Sequence, residues 1–516
     1  MADTPRFYLT TAIDYPNSRP HIGTAFEKIG ADVQARYRRM EGHDVFFLMG
    51  NDENTIKVAR RAVELELDPK AYVDEMARQF QDVWRALSIS YDDFIQTSDP
   101  RHHEGCRRFI QTVYDNGYIY KGSYEGLYCE GCEAFKTDKE LVDGKCPIHH
   151  TVVEQRSEPC YYFALSRFQE WLLEYYEVHS DFVQPEARFN EVLSLVQGGL
   201  QDVNITRAGQ TWGIRVPFDE EFTIYVWFDA LLNYITGIGY GWDEARFQKW
   251  WPADIHFIGK DITRFHCALW PAMLKAAGLE VPRSVFAHGF VYIKGEKISK
   301  TLGDVVEPMD IITKFNAEAF RYYFLRECPF PGDGNFSWQR FEELYDADLA
   351  KNLGNLFSRV VTLIVKNFNG HLHETARREP GVIYTEVDTE TTVQQVQGHV
   401  EACQYNQALQ RLWQQILYPA NQYIDRTTPW SVVKTDKEAA KHVLFNLAEQ
   451  LRIAAILLKP FLPQTAATIY RSFNFPQPWE EVRHEDVWVH PTQVEDLRVS
   501  PVLEGERVKP LFPRIG

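Results

Sequence analysis

Phe7-Tyr8-Leu9-Thr10, His21-Ile22-Gly23-Thr24 and Val45-Phe46-Phe47-Leu48-Met49 fall within one stretch, Arg6 to Glu53, whose reading decides the fold. The first run is apolar and β-favouring, as is the third, so both read as buried strands. Between them Phe26, Ile29, Val33, Tyr37 and Met40 recur at helical steps, the stripe of an amphipathic helix. Strand, turn, helix, strand is a βαβ unit, and such units bind ligands beyond the carboxyl ends of their strands. His21-Ile22-Gly23-Thr24 sits where the helix begins, so free backbone N–H groups and the positive dipole end face an incoming anion.

Outward from this unit, 516 residues are too many for one ordinary core, and several domains are expected. An apolar share of 45% supports globular burial rather than disorder. The net charge of −17 excludes a general nucleic-acid coat but not a specific RNA held on a local basic face. No leader pattern opens the chain and no long apolar run interrupts it, so a cytoplasmic, membrane-free protein is expected. Eight cysteines in such a length do not read as a disulfide framework.

Residues 1–117 form a first α/β half, helical from Asp52 to Gly117. At Tyr118 the composition shifts to short strands, Gly-rich turns and cysteines, so 118–213 reads as an insertion. The α/β pattern resumes over 214–340, with Phe222 to Trp227, Asp254 to Ile258 and Ser284 to His288 as strands. Continuous apolar runs suit a doubly wound, Rossmann-like parallel sheet covered on both faces. Over 341–480 strand signals nearly vanish, and Leu349–Phe368, Val393–Tyr423 and Ala439–Leu458 indicate an α-helical bundle. An irregular tail, 481–516, follows.

Far from the first unit lies Lys297-Ile298-Ser299-Lys300-Thr301, flanked by Gly295 and Gly303. Two ammonium groups on a Gly-flanked loop can approach a polyphosphate as mobile charges. The pairing of this loop with His21-Ile22-Gly23-Thr24 resembles the two signature segments of the class I aminoacyl-tRNA synthetases. Ala12-Ile13-Asp14-Tyr15-Pro16-Asn17, Asn51-Asp52-Glu53, Tyr225 to Ala230 and Ala287-His288-Gly289 are similar to the methionine-specific members of that family. The first signature departs from the family at Thr24, where a His is usual.

The resemblance implies a ligase that forms methionyl-adenylate from L-methionine and ATP with Mg2+, then passes the methionyl group to tRNA. It implies His21, Thr24, Lys297 and Lys300 as catalytic groups on the triphosphate, with Gly23, Glu27 and Asp261 completing the ATP site. Ile13, Tyr15, Trp227, Tyr234 and His288 would surround the methionine side chain, whose thioether suits aromatic neighbours, and Asp52 would hold its ammonium.

Cys129-Glu130-Gly131-Cys132, thirteen further residues and Cys146-Pro147-Ile148-His149 space two ligand pairs as tetrahedral zinc requires. His150 stays open as the alternative fourth ligand, and the resemblance makes the metal structural. In the bundle Asn355 and Arg359 share a helix face. The resemblance makes them, with Trp430, the anticodon reader, the ring stacking on an unpaired base. No dimerisation domain is evident, so a monomer is expected. Another class I synthetase and a non-catalytic tRNA-binding paralogue remain as alternatives.

Overall fold

The computed structural model describes residues 4–129, 134–136, 141, 144–145, 152–293, 296–297, 306–373, 389–488, 496–504 and 507–514. Strand β1 (Arg6–Thr11), helix α1 (Ile22–Met40) and strand β2 (Asp44–Asn51) form the expected unit. They join β3 (Asp93–Gln96), β4 (Val183–Gln184), β5 (Ile255–Gly259) and β6 (Val285–His288). The sheet runs β3-β2-β1-β5-β6-β4, with every neighbouring pair parallel. Strand order reverses between β1 and β5, so the loops that leave their carboxyl ends diverge and open a crevice.

β1 ends in four buried residues and β2 in seven, because both strands are covered on both faces. One core cluster covers the α1 face and runs without a break into the bundle; a second covers the opposite face and reaches the insertion. The expected stripe of α1 is buried, yet so are Glu27, Lys28, Asp32 and Gln34 on its polar side. The bundle meets Gln34 through Val400, while Glu27 pairs with Lys28 and His288, and Asp32 with Arg36 and Arg321.

Four sequence expectations need correction. Phe222 to Trp227 is not a strand of the main sheet: Phe222–Ile224 pairs antiparallel with Thr206–Ala208, and Val226–Ala230 is helical. A continuous apolar run does not distinguish a buried strand from a buried helix. The helical reading of 52–117 missed β3, whose four residues include only one that is fully buried. The insertion is not continuous to residue 213, since β4 returns to pair with β6. Nor is the tail after residue 480 irregular throughout: Asp496–Arg498 pairs antiparallel with His371–His373, and Leu497, Val499 and Phe512 are buried.

The insertion is carried by a long antiparallel pair, Ile119–Cys129 with Glu154–Phe163. The bundle comprises Asn355–Phe368, Thr389–Glu401, Tyr405–Leu412, Tyr418–Thr427, Pro429–Val432, Lys437–Leu458 and Pro463–Ser472. The run expected from Val393 to Tyr423 is broken at Cys403, whose φ is +55°. No helix among the described residues is long and apolar enough to cross a membrane.

Candidate functional site

A cavity of ≈ 370 Å³ lies where the sheet topology predicts it, walled by residues that follow β1, β5 and β6 and by the start of α1. Ile13, Tyr15, His21, Gly23, Thr24 and Glu27 enter it from the first half; Trp227, Asp261 and His288 enter it from the second. Residues from the two halves of the chain thus meet across one crevice.

His21 caps α1: its backbone is extended, and its Nδ1 accepts the Thr24 N–H at 3.1 Å. The cap holds the imidazole at the helix start, beside N–H groups that have no intrahelical partner. The Thr24 hydroxyl stands 3.4 Å from the same nitrogen.

One turn on, Glu27 is buried between Lys28 and His288. Its Oε1 accepts from Lys28 Nζ at 2.6 Å and its Oε2 lies 2.9 Å from His288 Nε2. Burial works to raise the Glu27 carboxyl, but the Lys28 charge and the His288 hydrogen bond outweigh it and hold it below the ordinary range. The other His288 nitrogen, Nδ1, faces the Gly289 carbonyl at 2.7 Å. Lys28, fully buried, also donates to the Ala12 carbonyl at 2.7 Å and pairs with Asp14 at 3.1 Å. It ties the loop after β1 to α1 from below. Gly289 is required at its position, because a Cβ there would stand 1.8 Å from the Gly332 carbonyl oxygen.

Asp52 follows β2 and is buried behind Tyr15 rather than on the cavity wall, and its Oδ1 has no hydrogen-bond partner. Burial pushes its carboxyl well up, repulsion from Asp229 and Glu53 adds to this, and a hydrogen bond from Tyr15 opposes it. An unpartnered buried carboxylate oxygen is costly unless a cation reaches it.

Tyr234 also lies behind the wall. Its hydroxyl meets His266 Nε2 at 2.7 Å while His266 Nδ1 faces the Ile262 carbonyl at 3.1 Å, so the tyrosine donates. Burial lowers His266 to about 4, which keeps that ring neutral and accepting. Trp227 stacks on Phe265 with ring centres 3.8 Å apart and planes 4° apart.

Sequence reasoning missed Lys28, Phe265 and His266. An isolated Lys on a helix reads as solvated, and a Phe-His pair reads as core; only the fold places them against Glu27, Trp227 and Tyr234.

Lys297 is placed by backbone alone, opposite Tyr292 in an antiparallel pair that leaves the cavity wall at Val291. Lys300 lies outside the described residues. Of the expected zinc ligands, Cys129 ends the strand Ile119–Cys129, while Cys132, Cys146, His149 and the alternative His150 lie outside the described residues. In the bundle, Arg359 sits over the Trp430 ring at 4.9 Å and pairs with Asp425 at 2.7 Å. Asn355 is one turn before Arg359 and half-buried.

A doubly wound sheet split by an insertion, a capped His-x-Gly helix start facing a crevice and a helical bundle sharing its core together define a class I aminoacyl-tRNA synthetase. Within that class the chain belongs to the methionine branch: residues 7–160 and 148–361 match the family of tRNA synthetases class I (M). Residues 377–499 match the anticodon binding domain of methionyl tRNA ligase. A methionine–tRNA ligase of Caldanaerobacter subterraneus subsp. tengcongensis is 42% identical over 521 residues, 99% of this chain and 79% of that protein. One from Thermosynechococcus vestitus is 42% identical over 487 residues, 92% and 90% of the two chains. The Mycobacterium tuberculosis methionyl-tRNA synthetase in complex with methionyl-adenylate superposes with a TM-score of 0.84 at 36% identity, covering 98% of this chain and 97% of that one.

Proposed function

We infer that this chain is a methionine–tRNA ligase: it activates L-methionine with ATP, releasing pyrophosphate, and transfers the methionyl group to tRNA. The observation that carries the reading is the single crevice in which the His21–Thr24 helix start and the Tyr15–Trp227 wall face each other. The likeness to methionine–tRNA ligases over 99% and 92% of this chain supports it.

In this reading the methionine carboxylate attacks the α-phosphorus of ATP, and the bond to pyrophosphate breaks with its electron pair. Charge rises on the phosphate oxygens, so catalysis rests on positioned donors rather than on a covalent intermediate. His21, Thr24 and the N–H groups near Gly23 receive that charge, Lys297 and Lys300 grip the leaving pyrophosphate, and Glu27 and Asp261 face the adenosine. Mg2+ travels with ATP. Asp52 takes the methionine ammonium, the cation its buried Oδ1 lacks. Ile13, Tyr15, Trp227, Tyr234 and His288 enclose the thioether side, Tyr234 and Asp52 from behind the wall.

The insertion holds one structural zinc through Cys129, Cys132, Cys146 and His149, a reading that rests on ligand spacing. Arg359, Trp430 and Asn355 read the anticodon, a reading supported by the Arg359 guanidinium standing 4.9 Å from the Trp430 ring centre. A monomer working in the cytoplasm, where tRNA is charged, completes the picture.

ATP–pyrophosphate exchange run against each amino acid in turn tests the whole: only methionine should drive it, and exchange driven by another amino acid would overturn the assignment. Lys300→Ala should keep the fold and slow methionine-driven exchange about a hundredfold or more, the cost of one donor to developing charge. Near-normal exchange would remove Lys300 from the chemistry.

A further inference from the structure

The crevice cavity gathers acids more readily than bases. Asp14, Glu27 and Asp261 line it, and among its described lining residues Arg19 is the only Lys or Arg. A triphosphate entering such a site meets repulsion unless cations converge on it. Lys28 does not supply them: it is fully buried, and its ammonium is engaged by the Ala12 carbonyl, Glu27 and Asp14. Thr24 offers a hydroxyl at the helix start, and a hydroxyl donates without carrying charge.

Arg19 stands two residues before His21, on the segment that leads into α1. Pro20 follows it, which favours an extended backbone at Arg19 and keeps that residue out of the helix. The side chain is 64% exposed. Its Nε donates to Gln79 Oε1 at 3.2 Å, and Nη1 comes no nearer to Glu307 than 3.7 Å, beyond hydrogen-bonding range. Among the described residues no other acceptor meets the guanidinium, whose fork holds five N–H groups.

Glu307 fixes the position of this arm. It caps the helix Pro308–Lys314, and the Val306 carbonyl just before it accepts the Ile22 N–H at 3.2 Å. The chain arriving from the lysine segment, 297–301, thus returns onto the start of α1, and Arg19 stands between the two.

We propose that Arg19 is a catalytic residue of adenylate formation, its guanidinium gripping the triphosphate at the start of α1 and supplying the positive charge that Thr24 cannot. The inference rests on the methionine–tRNA ligase reading. In that step a methionine carboxylate oxygen bonds to the α-phosphorus, and the bond to the bridging oxygen breaks with its electron pair, so pyrophosphate leaves and no proton moves. Charge grows on the departing pyrophosphate, and a planar fork can hold two of its oxygens together. An exposed pair such as Arg19–Glu307 contributes little. The arm therefore swings from acid to phosphate when ATP arrives.

The test is methionine-driven ATP–pyrophosphate exchange by Arg19→Ala, followed by substitution of residue 24 in that background. Arg19→Ala should lower kcat at least tenfold and leave the Michaelis constant for methionine unchanged, because the methionine side of the crevice is untouched. Thr24→His in the Arg19→Ala protein should recover most of the lost rate. It should exceed Thr24→Asn, which offers a donor without charge, at least threefold. Normal exchange by Arg19→Ala overturns the proposal. So does a loss confined to the Michaelis constants, which would make Arg19 a contact to the ground state alone. Equal recovery with His and Asn, or none with either, overturns it as well. Absence of methionine-driven exchange in the unsubstituted protein would instead overturn the ligase reading itself.

Discussion

Asp52 shows how burial can be made useful. Its carboxyl is driven up by desolvation and by Asp229 and Glu53, and burial takes neighbouring Glu53 up to about 7. A raised carboxyl favours the neutral form, so in the empty protein the contribution of Asp52 to stability is lost as pH rises through its folded pKa. The proposed ammonium contact would reverse this by stabilising the carboxylate, so methionine binding would release a proton. The Michaelis constant for methionine should therefore fall as pH rises above the ordinary carboxylate range, measured by exchange at saturating ATP. Asp52→Asn should abolish that slope, raise the constant and reduce kcat strongly; an unchanged methionine dependence would remove Asp52 from ammonium binding. The orphaned oxygen carries this argument, and only the fold displays it. The sequence showed an acid after a strand, a place where turn acids are common.

At the scale of elements, the short helix Pro429–Val432 begins after Thr428, whose φ is +41°, and turns Trp430 outward over Arg359. A core Trp would be hidden; this one is 38% exposed, as a stacking platform must be. Trp430→Ala should lower charging of methionine tRNA by about 1–3 kcal/mol in discrimination while leaving pyrophosphate exchange intact. A parallel fall in both would make the ring structural. The insertion offers a second check at this scale. Metal analysis of purified protein should return zinc near one per chain, and chelation should reduce tRNA charging before exchange, because the strand that Cys129 ends, Ile119–Cys129, is not part of the crevice-forming sheet. Spacing alone points to these ligands, since soft ligand pairs at that interval have few other uses. It could not decide between His149 and His150.

The whole molecule is held by a joint that no local pattern announced. Arg321 is fully buried and pairs with Asp32 on α1 at 2.7 Å. Its other nitrogens donate to the Phe461 and Pro460 carbonyls at 2.7 and 3.0 Å, in the bundle. Asp32 also takes the Ser90 N–H and hydroxyl at 2.7 and 2.6 Å and Arg36 at 2.8 Å. Burial opposes its ionisation, yet Arg36, Arg321 and Ser90 bring the carboxyl down to about 2. Burial lowers the Arg321 guanidinium in turn, but that group stays charged at any pH the fold survives.

A depressed carboxyl contributes stability above its unfolded value, about 4, and loses it as pH falls through its folded value. Asp32→Asn should cost about 3–5 kcal/mol at pH 7, the usual result of stripping one partner from a buried pair. Urea titrations should show the gap to the unsubstituted protein closing as pH drops from 4 towards 2. A pH-independent gap would mean that packing, not charge, is lost. Because α1 is capped by His21 and buries Gln34 against Val400 and Cys403 of the bundle, the cavity end and the bundle share one helix.

By itself the sequence determined the sheet-forming unit, the helix start at His21 and the switch from α/β to all-helical structure. Each of these is written in local periodicity, and local rules suffice to read them. Tertiary structure alone decided which apolar run joined the sheet, how the tail was folded back and which polar residues of α1 were buried. It also decided that Asp52 and Tyr234 stand behind the wall. These outcomes depend on contacts between residues far apart in the chain, where the partner that desolvates or pairs a group is absent from its own neighbourhood.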